Sequence, residues 1–342
     1  MFEISPLNKR RFKRFMKNKR GSVSLVIFMS LFILSLFAEV IANDKPLMIK
    51  YHGEFYFPVL KQYTEKDLGG FFETEANYRD PYLREMIEED GFIVWAPVKY
   101  SYATIRYDLP EPPPTPPTWE NPLGTDDQGR DVFARLLYGF RLSVLFGIML
   151  TIVTSFIGIC AGAVQGYYGG RIDLFGQRFM EIWSGIPMLY MLIIMSSLIR
   201  PGFWWLLFIM TIFGWMGLVG VVRAEFLKGR QLEYVLAAKA LGVSDGGMIF
   251  RHILPNAMVA TMTFFPFILS GSIGVLTSLD FLGFGMPPGS PSLGELLAAG
   301  KSNLYAPWLG VSAFLTVSVM LSLLIFIGEA LRDAFDPRHI GK

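Results

Sequence analysis

The sequence predicts an all-α polytopic membrane protein with six transmembrane helices and a large external insertion between the first and the second. Composition is the first observation behind this: of 342 residues 52% are hydrophobic, 15% aromatic and only 18% charged. With a mean hydropathy of +0.40, the chain is too apolar for an average soluble domain. The second observation is run length. Six apolar runs reach the ~20 residues that cross a bilayer core of ~30 Å, at 23–42, 142–166, 179–198, 203–222, 257–279 and 307–327. The third is charge placement. A net charge of only +2 offers no argument for a nucleic-acid partner, so charge speaks by position.

Residues 1–22 form a basic amino-terminal segment. Lys9, Arg10, Arg11, Lys13, Arg14, Lys17, Lys19 and Arg20 follow Glu3 with no further acid before the span, which keeps this terminus cytoplasmic. The alternative for such a run, a nucleic-acid-binding or targeting tail, fits poorly with an apolar span directly after it. That span, 23–42, has small residues near Ala42 that a signal peptidase would accept, but its apolar region is long for a cleaved signal. Six spans place both termini on one side. The inner segments then hold Arg171 and Arg178, next Arg223, Lys228, Arg230, Lys239 and Arg251, and finally Arg332, Arg338 and Lys342, against Arg200 and Lys301 in the short outer loops.

The external insertion, 43–141, is long enough for a small folded lobe. It mixes aromatic pairs (Phe55 and Phe57, Phe71 and Phe72, Tyr100 and Tyr102) with an acidic helical stretch over 80–90. Six of the eight residues at 110–117 are proline, a composition that predicts an extended polyproline strut. A spacer is the plain reading and recognition by an aromatic groove the alternative. Residues 129–141 read as a separate amphipathic helix at the membrane interface, with Val132, Leu136 and Leu137 on one side and Arg130, Asp131 and Arg135 elsewhere.

The remaining spans form a five-helix core over 142–328, followed by a tail at 329–342. Gly158, Gly162, Gly166 and Gly170 recur every four residues, which stacks them on one helix face and permits close helix packing; direct substrate contact is the sharper alternative. Gly214, Gly217 and Gly220 suggest a similar role in the fourth span. Glu39, Arg223, Glu225 and Glu329 fall at span ends, whereas Glu181 and Asp280 are the better candidates for facing a pathway. Cys160, the single cysteine, excludes an intrachain disulfide.

Chemistry of the catalytic kind is not evident. His52, His252 and His339 are far apart and fall on both expected sides of the membrane, which disfavours a histidine metal site. Gly294 to Ser302 approaches a phosphate-binding loop but has five residues between its glycines where four are required. The chain itself is expected to bind no cofactor.

The loop at 223–256 is the most informative segment. Its stretch 234–256, YVLAAKALGVSDGGMIFRHILPN, reads as a narrow helix around Ala237, Ala238 and Ala240, a break at Gly242, a cap from Ser244 or Asp245 and a restart at Pro255. An ordinary polar loop with two helical turns is the competing reading. This stretch resembles the loop shared by membrane permease subunits of binding-protein-dependent ABC importers, whose pattern is Glu-Ala-Ala, three residues, Gly, nine residues, Ile-x-Leu-Pro. Ala237, Ala238, Gly242, Leu254 and Pro255 fall at matching positions, while Leu236 replaces the Glu and His252 the Ile. The segments PLGTDDQGRDVFARLLYGFRLS at 122–143 and GEALRDAFDPR at 328–338 are similar to blocks of the dipeptide and oligopeptide branch.

The resemblance implies a permease subunit of the bacterial inner membrane, with cytoplasmic termini, that forms part of a translocation pathway for peptides. It implies a coupling helix in which Tyr234, Ala237, Ala238, Lys239 and Gly242, with Leu254 and Pro255, meet a separate ATPase. Implied partners are a second homologous permease, two ATP-binding subunits holding ATP and magnesium, and a periplasmic substrate-binding protein. Arg251 and His252 have the plainer option of anchoring to membrane lipid. An importer for another solute such as nickel is the near alternative. An ion-coupled secondary transporter would carry internal repeats and discontinuous spans with midplane charges, and the sequence suggests neither.

Overall fold

A computed structural model describes residues 6–199 and 202–336; the expectations attached to Arg200, Arg338, His339 and Lys342 lie outside the described residues. The chain begins with α1 (Pro6–Lys17), α2 (Lys19–Leu36) and the single turn α3 (Ala38–Ile41). The lobe contributes β1 (Met48–Tyr51), β2 (Glu54–Tyr56), α4 (Pro81–Asp90) and β3 (Phe92–Val94). Next come α5 (Val132–Tyr168), α6 (Gly170–Ser184), α7 (Met188–Leu198), α8 (Phe203–Gly214) and α9 (Met216–Gly229). After α10 (Glu233–Ala240) and the turn α11 (Asp245–Gly247), a π-helical stretch at Met248–Ile253 leads into α12 (Leu254–Met262) and α13 (Phe265–Phe281). The last helices are α14 (Leu293–Ser302) and α15 (Pro307–Phe335).

Three helices, α2, α5 and α15, are each long and apolar enough to cross a membrane. The other three expected spans are broken: α6 and α7 meet at 61°, α8 and α9 at 40°, and α12 and α13 at 56°. Counting each pair as one span yields six. The expectation of continuous spans is therefore corrected, and discontinuity does not separate this chain from a secondary transporter. Each break has a local cause. Pro187 follows α6, and the residue before a proline is steered out of helical geometry. Pro266 in the first turn of α13 has no N–H to donate. In α8 the Thr211 hydroxyl donates to the Leu207 carbonyl at 2.7 Å, an arrangement that bends helices, just before Gly214.

One compact unit comprises Met1–Ser30, Ser143–Pro287 and Val317–Lys342. Phe146 and Leu150 of α5, Leu192 of α7, Leu206 and Met210 of α8, and Leu276 of α13 make one apolar core in it. Val222 and Phe226 of α9 pack with Ala163, Val235, Ala238, Met248, Ile253 and Ala257 in a second. The glycine face of α5 lies against α9. A methyl group added at Gly158 would stand 2.5 Å from the Trp215 carbonyl oxygen, one at Gly162 2.8 Å from that of Val219, and one at Gly166 2.5 Å from the Phe226 Cβ. Gly170 does not share this face. α5 ends at Tyr168, and Gly170, at φ +54°, opens α6 with nothing within 4 Å of an added Cβ. Gly217 and Gly220 also face open space, and only Gly214 has a close neighbour, Thr154.

The second unit comprises Leu31–Leu142 and Pro288–Thr316. Here the all-α expectation needs an amendment: the lobe holds a three-stranded antiparallel sheet in the order β2-β1-β3, with Lys50 opposite Phe55 and Ile49 opposite Ile93. His52 and Gly53, both at positive φ, form the tight turn that joins β1 to β2, as the twist of a hairpin demands. α4 covers one sheet face through Leu83 and Ile87, against Ile49 and Tyr51. Its start is written locally, since Asp80 accepts from the Tyr82 N–H at 3.0 Å and Pro81 takes the first helical position. The proline-rich run is no free strut. The Thr115 carbonyl accepts from the Thr125 N–H at 3.0 Å, and its N–H donates to the Thr125 hydroxyl at 2.9 Å. The separate interfacial helix is likewise absent: 132–141 is the first part of α5, because no Gly or Pro interrupts the chain between Arg141 and the apolar run.

Candidate functional site

The loop between α9 and α12 is built as a braced platform. α10 ends in a Schellman arrangement, in which the Val243 N–H donates to the Ala238 carbonyl at 3.2 Å and the Gly242 N–H to that of Lys239 at 3.0 Å. Gly242 stands at φ +79°, the left-handed region that side chains resist. Ser244 then caps the next turn by accepting from the Gly247 N–H at 3.4 Å. Two tyrosines tie the loop down. Tyr167 of α5 donates to the Asp245 carboxylate at 2.6 Å, and Tyr234 donates to the His252 carbonyl at 3.3 Å while accepting from Asn256 at 2.9 Å. Arg230 donates to the Tyr167 carbonyl at 3.1 Å.

α10 has two distinct faces. Val235 and Ala238, the latter 8% exposed, pack on Phe226 and Ile253. Ala238 thus faces the chain's own core rather than a partner, which corrects its assignment as a contact residue, and Leu254 packs against the same cluster. Tyr234, Ala237, Lys239, Gly242 and Pro255 are exposed. The sequence reading missed the most prominent apolar residues here: Leu241 is 86%, Phe250 69% and Leu236 52% exposed. Helical spacing supplies a signal for the first. With Val235 and Ala238 turned inward three apart, Leu241 would continue that stripe, but the glycine at 242 ends the helix and leaves it outside. Large exposed apolar side chains on a braced loop mark a candidate contact site.

A second polar constellation lies in the other unit, at the start of α5. Asp126 accepts from the Arg130 Nε at 2.7 Å and from the backbone N–H groups of Gln128 and Arg130 at 2.9 Å each. Arg135, 1% exposed, donates to the Ser290 carbonyl at 3.2 Å and pairs with Glu295 of α14 at 3.2 Å. Asp131 caps α5 by accepting from the Ala134 N–H at 2.7 Å and takes the Asn121 amide at 2.6 Å; burial pushes its carboxyl above the usual range against those bonds. The residues read as the polar side of an interfacial helix are therefore inside. Asp280 is used locally too: its Oδ1 accepts from the Met286 N–H at 2.7 Å, holding the turn after α13. Glu181 is exposed and pairs with Arg178.

Residues 156–340 match the family described as binding-protein-dependent transport system inner membrane component. Residues 5–58 match the N-terminal TM domain of oligopeptide transport permease C. The inner membrane ABC transporter permease protein YejE of Escherichia coli (strain K12) is 60% identical over 98% of this chain and 99% of its own length. The peptidoglycan transport system permease protein YejE of Agrobacterium fabrum is 54% identical over 98% of this chain and 94% of its own. The oligopeptide transport system permease protein OppC of Lactococcus lactis is 35% identical over 64% of this chain and 75% of its own. By these matches, the chain belongs to the family of binding-protein-dependent transport system inner membrane components.

Proposed function

We propose that this chain is the permease subunit of an ATP-driven peptide importer and that the exposed face of the loop between α9 and α12 docks on a separate ATPase. The observation that carries the reading is that loop: an apolar crest of Leu236, Leu241 and Phe250 stands on a base sealed by Ala238, Met248 and Ile253. Because the base shares one core with Ala163 of α5, Phe226 of α9 and Ala257 of α12, a push on the crest reaches three helices as a rigid displacement. ATP and magnesium belong to the partner. Tyr234, Ala237, Lys239 and Gly242 border the crest and belong to the contact.

A second, homologous permease pairs with this one to complete the pathway, and two ATP-binding subunits and a periplasmic binding protein complete the importer. Both termini are assigned to the cytoplasm. The grouping of 31–142 with 288–316 in one compact unit supports a shared side for the first and last outer segments, and the basic run before α2 favours the cytoplasm for the termini. The lobe is assigned to docking of the binding protein, with its exposed Phe71, Phe72, Tyr107 and Trp119 as candidate contacts. Peptides are the cargo, and the name of the Agrobacterium relative favours peptide fragments of the cell wall as a second reading. The test is uptake of a labelled oligopeptide and of a labelled muropeptide in cells with and without the chain. Loss of neither on deletion, with loss of nickel or another solute instead, would refute the peptide assignment.

A further inference from the structure

α1 is basic and amphipathic. Between Pro6 and Arg20 the chain has eight Lys and Arg and no acid. Lys9, Arg10, Lys13 and Lys17 are exposed, and so are the large apolar side chains of Phe12 at 66% and Met16 at 49%. The helix is nevertheless held in place. Phe15 is buried with Ala330 and Ala334 of α15, and Arg14 donates to the Asp336 carbonyl at 3.4 Å. Beside it α1, α2 and α15 enclose a groove of about 370 Å3, lined by Phe12, Phe15, Leu25, Ile327, Leu331 and Phe335, with Arg11 as its charged lining residue. The Arg11 guanidinium stands 4.7 Å from the centre of the Phe335 ring.

An occupant of this groove must be apolar inside and negative where the cations gather. A phospholipid with an anionic headgroup has that chemistry, and a basic amphipathic helix with aromatic residues is the element that settles at such a surface. We propose that the groove takes one acyl chain of an anionic phospholipid whose phosphate is held by Arg11 and the neighbouring lysines and arginines of α1. The exposed Phe12 and Met16 enter the acyl boundary while the long cationic side chains reach up to headgroup level. The site does not depend on the transported solute. A neutral lipid satisfies the groove but not the charge, and an acidic amphipathic peptide satisfies both, which makes these the competing occupants.

The test uses the full chain in its purified assembly, titrated with dioleoylphosphatidylglycerol or dioleoylphosphatidylcholine and followed by native mass spectrometry. At least a tenfold preference for the anionic lipid is expected. The pair Arg11→Gln and Lys13→Gln should reduce that preference about fivefold, and Leu331→Trp, which fills the groove, should remove bound lipid of either kind. Equal retention of the two lipids would overturn the proposal. Should the charge variants fail to insert, a photoreactive benzoylphenylalanine at Leu331 decides in native membranes. An adduct with the mass of a glycerophospholipid supports the site, whereas a polypeptide adduct, or none, overturns it.

Discussion

Ala238 and Leu241 show how three residues of chain separate two jobs. Ala238 packs in the apolar cluster around Phe226, so Ala238→Glu places a carboxylate among apolar side chains, at a cost of several kcal/mol for a buried charge. We expect that variant to lower the thermal stability of the chain even when it is expressed alone, as a melting measurement in detergent would show. Leu241 is 86% exposed, so Leu241→Glu should leave stability within about 0.5 kcal/mol and act only through a partner. Gly162 belongs to the packed interior as well. With the Val219 carbonyl oxygen and the Val222 Cβ each 2.8 Å from an added methyl, Gly162→Ala should cost about 1–3 kcal/mol and Gly162→Leu should abolish folded yield on gel filtration. Normal yield of the Leu variant would mean that α5 and α9 are not in contact.

At the scale of elements, the start of α5 is held by charge rather than by apolar packing alone. Arg135 is shared between Glu295 at 3.2 Å and Asp126 at 3.5 Å, and Glu295 also takes Arg130 at 3.4 Å, so a single loss leaves each remaining charge one partner and Arg135→Met or Glu295→Gln should each destabilise by about 1–3 kcal/mol. The double variant should cost less than the sum, and additive losses would show that the two side chains do not communicate. This network also marks where sequence reading stopped. Arg130, Asp131 and Arg135 look like the wet side of a surface helix when only periodicity is considered, because their partners, Asp126, Asn121 and Glu295, include one more than 150 residues away. A local signal served better at Gly242, which ended α10 as its backbone freedom allows, whereas Pro255 starts no helix, because the chain is already helical from Asp245 through Met262. Gly170 failed for a related reason, since a four-residue repeat in sequence ignores the break at Gly169, whose φ of +63° closes α5 first. The bends were written at Pro187 and Pro266, but hydropathy averaged over a span conceals them.

For the whole molecule, three of the six apolar runs coincide with single helices long enough to span and the other three with bent pairs, while the sheet of the lobe went unread because its strands are three or four residues long. The lobe's assigned role can be separated from that of the loop. Deleting 43–106 with a short linker should weaken stimulation of ATP hydrolysis by the binding protein and leave basal hydrolysis by the assembled complex in place; unchanged stimulation would give the lobe another task. Whether this chain receives force through the loop between α9 and α12 is decided by co-purification of ATP-binding chains with the wild-type chain and with Leu241→Glu, measured beside labelled-peptide uptake and membrane insertion. Normal insertion with at least a tenfold loss of both ATPase and uptake is expected in the variant. Full retention of ATPase and transport by an inserted Leu241→Glu chain would contradict it.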